Sequence, residues 1–482
     1  MEETKDRSRW SILLTVVMAT FMSTLDSSIV NVALPEMARA LNVTTSVIQL
    51  VSTSYLIVIV SSVLIFGRLG DMLGKTKVFK FGLALFTIGS FLCGITSSFP
   101  VLILARVVQA IGAAGTMANN QGIITEVFPQ NERGKALGLI GTAVALGSLV
   151  GPGLGGLIVG ATSWEFIFLI NIPIGIVSLY FAIKLLPKGN KSVKGRLDSF
   201  GAILFMITIV SLFWGLNKGI SRGFTDPIIL VSFTVALISF IIFLIVEMKR
   251  EYPLVQLQIF RNGLFSLSIF CGFITFIAIF CNNIILPFYL QNAMSFTPQH
   301  AGLVLMLYPL LLSVVAPLSG HLSDKIGSEI LTFIGLVLIS IGLFFMHTLN
   351  ENSSQVTMLI FIAIMSIGMG LFQSPNNSLI MSTVSKDKLG IAGSINALIR
   401  NLGMVCGIAL ATTLLYSRMS SKIGYRVTDY VEGRNDVFIY GMKTVYIAAT
   451  IICFIGAILT FIRLMGRKGR AEVKVNRNKV VD

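Results

Sequence analysis

The chain has 482 residues, 54% hydrophobic and only 12% charged, with 37 Lys and Arg against 22 Asp and Glu for a formal net charge of +15. Soluble domains carry roughly 25% charged residues and about 45–50% apolar ones, so this composition excludes a soluble multidomain chain, a disordered chain and a nucleic-acid binder. It leaves an all-α polytopic membrane protein.

A membrane-spanning helix needs about 20 mostly apolar residues. In chain order such segments are predicted at 11–34, 46–66, 78–98, 101–124, 136–160, 165–186, 199–217, 227–247, 263–290, 301–319, 329–348, 357–379, 391–417 and 441–464, about fourteen in all. The first follows Lys5, Arg7 and Arg9 as a signal peptide would. Its apolar run outlasts a signal's core and ends at Leu34-Pro35 with no clear small-residue cleavage site, so it reads as a retained helix. The five cysteines (93, 271, 281, 406 and 453) lie inside these runs, and the three histidines (300, 321 and 347) are far apart. Neither set suggests a disulfide framework, a metal site or a cofactor.

With the N-terminus taken as cytoplasmic, the inside loops hold Arg68, Lys75, Lys77, Lys80, Arg133, Lys135, Lys188, Lys191, Lys194 and Arg196, and the tail adds six more cations from Arg467 to Lys479. That asymmetry follows the positive-inside rule. The even helix number then puts both termini in the cytoplasm of a bacterial plasma membrane. One predicted outside loop departs from the rule: 418–443 mixes Arg418, Lys422, Arg426, Arg434 and Lys443 with Asp429, Glu432 and Asp436. The +15 is therefore a topology signal and an attraction to anionic lipid.

Residues 67–75 read GRLGDMLGK and residues 320–327 read GHLSDKIG, a repeat offset by 253 positions. Parallel repeats of this kind occur in transporters built from two similar halves around a central site. The expected organisation is a six-helix half at 1–190, two additional helices at 191–250 after the polar linker KGNKSVKGRLDS, and a second six-helix half at 251–482.

Further motifs follow the same order. They are LDSSIVNVALP at 25–35, RVVQAIGAAG at 106–115, GSLVGPGLGG at 147–156, FLINIPIG at 168–175, LDSFG at 197–201 and YLQNAMSFTPQHAG at 289–302. Together with the 67–75 loop they resemble the major facilitator superfamily, in particular its fourteen-helix drug:proton antiporter branch, over most of the chain. The resemblance implies a proton-coupled exporter working by alternating access as a monomer, with small hydrophobic substrates and protons as its partners. It also casts 67–75 as a cytoplasmic gate and 147–156 as an antiporter motif. Two alternatives stand beside it: a dedicated exporter of one metabolite, lipid or antibiotic such as tetracycline, and a non-transport polytopic membrane protein. No paired carboxylates or clustered His and Cys indicate an enzyme, and no Gly-rich loop ending in Gly-Lys-Ser/Thr indicates an ATP-driven pump.

Within the apolar segments the charges are few. Asp26 is alone between Trp10 and Pro35, and an intramembrane carboxylate is expensive enough to be a functional-site hypothesis by default. It is the expected coupling residue, able to hold a proton or a substrate cation. Arg106, the one charge between Lys80 and Glu126, either pairs with Asp26 or snorkels to the interface. Arg68, Asp71, Gly74, Lys75 and the repeat's Asp324 form the expected gate, with Asp71 capping a neighbouring helix. Met72 stands where the family's loop has a basic residue. Glu126 is expected to pair with Arg68, Lys75 or Arg133, with a second proton carrier as its lesser role.

Gly147, Gly151, Pro152, Gly155 and Gly156 combine close helix approach with a kink. Asn31, Gln291, Gln373, Asn376, Asn377 and Arg400 are candidate cavity residues. Glu165 and Ala110 occupy positions where the family has Arg and Gly. No Asp or Glu lies deep in an apolar segment after 263, which points to monovalent cationic or neutral substrates.

Overall fold

Lipid offers a backbone no hydrogen-bond partners, so a spanning chain closes its bonds within helices. The computed structural model describes residues 2–129, 132–187, 198–250, 253–384 and 389–479, and the described residues form helices without strands. Among the described residues, fourteen helices are long and apolar enough to cross a membrane. They are α1 (Arg9–Ala40), α2 (Thr45–Leu73), α3 (Lys75–Gly94), α4 (Phe99–Val127), α5 (Leu139–Ala161), α6 (Phe166–Leu185) and α7 (Ser199–Gly219). There follow α8 (Pro227–Lys249), α9 (Gly263–Ala293), α10 (Pro298–Ser323), α11 (Ser328–Met346), α12 (Gln355–Ser382), α13 (Ile395–Ile423) and α14 (Asn435–Met465). Each overlaps one predicted segment, with ends shifted by up to several residues. Most of the linker after α6, residues 188–197, lies outside the described residues.

Local chemistry sets several helix starts. Asp198 accepts from Gly201 N at 3.0 Å, Asp226 from Ile228 N at 2.8 Å and Asn262 from Leu264 N at 3.0 Å. Thr297 and Ser354 cap α10 and α12 in the same way. Side-chain oxygens at these positions satisfy the free amides of a first turn. Prolines 227 and 298 occupy first-turn positions, where no amide is needed.

The packing repeats. In the first half α1 packs on α5 and α6, α2 on α4, and α3 on α4 and α6. In the second half α9 packs on α13 and α14, α10 on α12, and α11 on α12 and α14. The offset of 253 recurs in the glycines. Gly82 of α3 and Gly335 of α11 sit against Gly112 O and Gly368 O, where a Cβ would come within 2.7 Å of each carbonyl. Gly74 and Gly327 end the two copies of the repeated motif at φ 101° and 93°, a conformation glycine adopts at little cost.

The halves meet through α5 against α10 and through α2 against α13, with α7 laid along α2 and α13. The α7–α8 pair thus borders one side of the seam. Its foot is fastened by Arg250, whose Nε lies 3.6 Å from Asp198 Oδ1, and by Glu247, which accepts from Leu254 N and Val255 N at 3.2 and 3.0 Å.

Candidate functional site

Asp26, near the middle of α1, is fully buried and Arg106 of α4 is 1% exposed. Arg106 Nη1 donates to Asp26 Oδ2 at 2.7 Å, so Arg106 pairs rather than snorkels. Its Nε donates to Val51 O of α2 at 3.1 Å, and its guanidinium lies 4.1 Å from the Tyr55 ring centroid. The other carboxylate oxygen, Oδ1, accepts from Gln109 Nε2 at 2.8 Å and from Asn171 Nδ2 at 2.9 Å. Gln109 also donates to Ser90 Oγ of α3. Five helices of the first half, α1 to α4 and α6, thus converge on one carboxylate.

In this conformation the Asp26 carboxylate is met by an internal cation. Arg106 supplies its countercharge, three donors contact its two oxygens, and it is fully buried. A protonated Asp26 would leave Arg106 buried without an anion, which is expensive in a low-dielectric interior. Protonation therefore requires rearrangement of the pair. Sequence reasoning missed Gln109 and Asn171. The signals were present: Gln109 lies one turn beyond Arg106, and Asn171 is the polar residue within FLINIPIG.

The glycine motif of α5 serves two faces. Gly147, Gly151 and Gly155 lie against α1, where a Cβ would meet Phe21 O at 2.9 Å, Ser28 Oγ at 1.8 Å and Ile29 O at 3.1 Å. Ser28 Oγ donates to Gly147 O at 3.0 Å, so α5 packs on the helix that carries Asp26. Gly156 faces the other way. Its Cβ would come 2.5 Å from Pro298 O and 3.2 Å from Gly302 Cα of α10, while Gly302 abuts Pro152 O.

At the end of the bundle predicted to face outward, hydrogen bonds join the halves. Gln291 Nε2 donates to Val32 O at 3.0 Å and Arg39 Nη2 to Asn292 Oδ1 at 3.3 Å. Thr412 bonds Gln49, and Tyr416 bonds Thr45. Thr45 N donates to Asp429 Oδ1 at 3.0 Å and Ser46 N to Thr428 O at 3.4 Å. Of the mixed-sign 418–443 stretch, only 424–434 is the connection between α13 and α14, and through Thr428 and Asp429 it takes part in closing this end.

At the opposite end Lys75 Nζ lies 2.6 Å from Glu126 Oε1 and 3.6 Å from Asp71 Oδ1. Asp71 does not cap α3: Gly74 stands at the N-cap position with no side-chain bond, and Asp71 is engaged by Lys75 instead. The Asp324 side chain lies outside the described residues, and Arg68 is half-buried. Glu126 is an exposed ion-pair partner, a kind of contact worth about 1 kcal/mol at most. Glu126→Gln is thus expected to keep activity within about fivefold of wild type, with an unchanged pH profile in a vesicle transport assay. An abolished or pH-shifted activity would restore it as a proton carrier.

The remaining candidates separate. Asn31 accepts from Ser52 Oγ at 3.1 Å, tying α1 to α2. Asn376 is buried and donates to Ser268 O of α9. Glu165, in the loop before α6, has a buried Oε2 with no partner among the described residues, and Ala110 is buried in α4. Asn396 Nδ2 donates to Asn377 Oδ1 at 3.0 Å, joining α13 to α12. Gln373 is half-buried beside it, and the Nε of Arg400 is buried with no hydrogen-bond partner.

The family model described as Major Facilitator Superfamily matches residues 16–269 and 268–480. The riboflavin transporter RibZ of Clostridioides difficile is 35% identical over 458 residues, 94% of this chain and 97% of the relative. The multidrug resistance protein Stp of Mycobacterium tuberculosis is 28% identical over 87% of this chain and 78% of its own. The methylenomycin A resistance protein of Bacillus subtilis is 28% identical over 86% of this chain and 90% of its own.

Proposed function

The chain belongs to the major facilitator superfamily, a multi-pass membrane transporter, and on that premise we propose that it is a proton-coupled exporter of hydrophobic small molecules. The observation that carries this reading is the sealed Asp26–Arg106 pair, set in a bundle whose predicted outer end is held shut by bonds between its halves. The names of the multidrug-resistance relatives support export.

In this reading 1–190 and 251–482 rock about the α5–α10 and α2–α13 seams, with 191–250 as an inserted pair. Both termini face the cytoplasm of a bacterial plasma membrane, and the transporter works as a monomer. Opening the outer end draws α1 away from the second half, since Val32, Arg39 and the start of α2 bond across the seam there. That movement lets a proton reach Asp26. Protonation breaks its ion pair and frees Arg106 to find other partners, so the proton biases a two-state element. Return of the proton to the cytoplasm re-forms the pair and resets the transporter. Because Asp26 is already countered by Arg106, the substrate is read as neutral or anionic rather than cationic.

The test uses everted vesicles loaded with the full chain. A hydrophobic dye should accumulate when a proton gradient is imposed and stop when an uncoupler collapses it. Accumulation indifferent to the uncoupler would sink the proton-coupled reading. The 35% identity over 94% of the chain to the riboflavin transporter supports a second reading, dedicated transport of one metabolite. Riboflavin as the single compound moved, out of a chemically broad panel, would favour it.

A further inference from the structure

The bond between Asn396 and Asn377 fixes the register of two antiparallel helices. By that register, one turn further along each helix brings Gln373 of α12 and Arg400 of α13 to corresponding positions. Gln373 makes no hydrogen bond among the described residues. Arg400 has neither an ion pair nor a hydrogen bond there, and its Nε is buried. The neighbouring Asn401 does not help it, since its amide turns back to Ala397 O of its own helix at 2.7 Å.

Arg400 also lies on a seven-residue stripe with Gly393 and Gly407. A Cβ at Gly393 would stand 3.0 Å from Gln121 Oε1 of α4, in the other half, and one at Gly407 would stand 2.5 Å from Ile277 O of α9. That stripe runs from the contact between halves into the second half. Arg400 is half-buried; a guanidinium partly shielded from water favours an anionic partner, and charged side chains inside membrane bundles mark substrate paths. Its planar fork fits two oxygens of one group.

We propose that Arg400, with Gln373 across the seam, is the anchor for a carboxylate or sulfonate on a flat hydrophobic substrate, so that the preferred cargo is an amphipathic anion. The proposal rests on the exporter reading and assigns the charge class of its substrate. Asp26 and Arg400 then divide the work. The first half carries a paired carboxylate for the proton, and the second half carries an unpaired cation for the cargo.

Two xanthene dyes that differ mainly in charge provide the test: anionic fluorescein and cationic rhodamine 6G. Binding is read by fluorescence anisotropy at neutral pH on the full chain in nanodiscs. Wild type should bind fluorescein more tightly than rhodamine 6G. Arg400→Gln should erase that preference, weakening fluorescein by about thirtyfold or more, whereas Arg400→Lys should keep part of it and Gln373→Ala should lower it by a few-fold. If Arg400→Gln does not fold, Arg400→Lys and Gln373→Ala decide.

Equal or tighter rhodamine binding by wild type, or an unchanged preference in the variants, overturns the proposal. Fluorescein binding abolished by excess chloride would mark a site for inorganic anions and would overturn it as well. The readout needs no proton gradient. Failure of the exporter reading would therefore leave the binding result standing, and proton-driven efflux with no Arg400 effect would sink the anchor alone.

Discussion

Replacing Asp26 with Asn is expected to reduce proton-driven efflux to the level of empty vesicles while the chain remains inserted. Asn keeps the size of the side chain but cannot take up or release the coupling proton, and its amide would face the donors of Gln109 and Asn171. It also leaves Arg106, 1% exposed, without its anion. Removing one partner of a buried pair costs about 3–5 kcal/mol, so thermal unfolding in detergent should move down with the loss of transport. The double variant Asp26→Asn/Arg106→Gln removes both charges and should recover much of that stability with no return of efflux. Restored stability without restored activity separates coupling from packing. Normal proton-driven efflux by Asp26→Asn would falsify the assignment.

Gly156→Leu is expected to abolish efflux by a different route. The α5 and α10 backbones touch across the two halves, with Gly156 and Gly302 Cα atoms where any larger group would collide with Pro298 O or Pro152 O. A leucine there would wedge the predicted outer end open, and a fall in efflux of tenfold or more follows from a bundle that cannot close. A cysteine placed at Thr412, now buried against Gln49, should become reactive to a membrane-impermeant maleimide in that background. Gly141, on the same α5, supplies the control, since a Cβ there would meet nothing within 4 Å. Gly141→Leu should transport nearly as wild type does. Equal efflux from both variants would show that the α5–α10 contact does not have to close.

The fourteen helices were legible because the bilayer imposes a length and a polarity that leave few alternatives. The repeat was legible too. Gly67, Asp71 and Gly74 recur 253 residues on, and the last of these positions shares its unusual backbone with Gly327. The Asp26–Arg106 pair could be anticipated because only a handful of charges lie within the apolar segments, and buried opposite charges find each other. Gln109 and Asn171 could not be ranked the same way. Neutral amides are common in such helices, and nothing in their spacing says that their donors meet on one oxygen. Asp71 misled for a related reason: a carboxylate four residues before a helix resembles a cap until Lys75 is seen to engage it.

Hydropathy, charge scarcity and repetition are properties of order along a chain. They suffice to specify a repeated helical membrane bundle and to single out the carboxylate that sits deepest in it. Order along the chain does not say that Asp26 is already neutralised and enclosed, or that the glycine motif divides between α1 and α10. Nor does it say that the mixed-sign stretch takes part in closing the predicted outer end, or that Arg400 has no anion among the described residues. Each of these depends on which faces of distant helices meet, and a helix's neighbours are set by packing across the bundle rather than by its own residues.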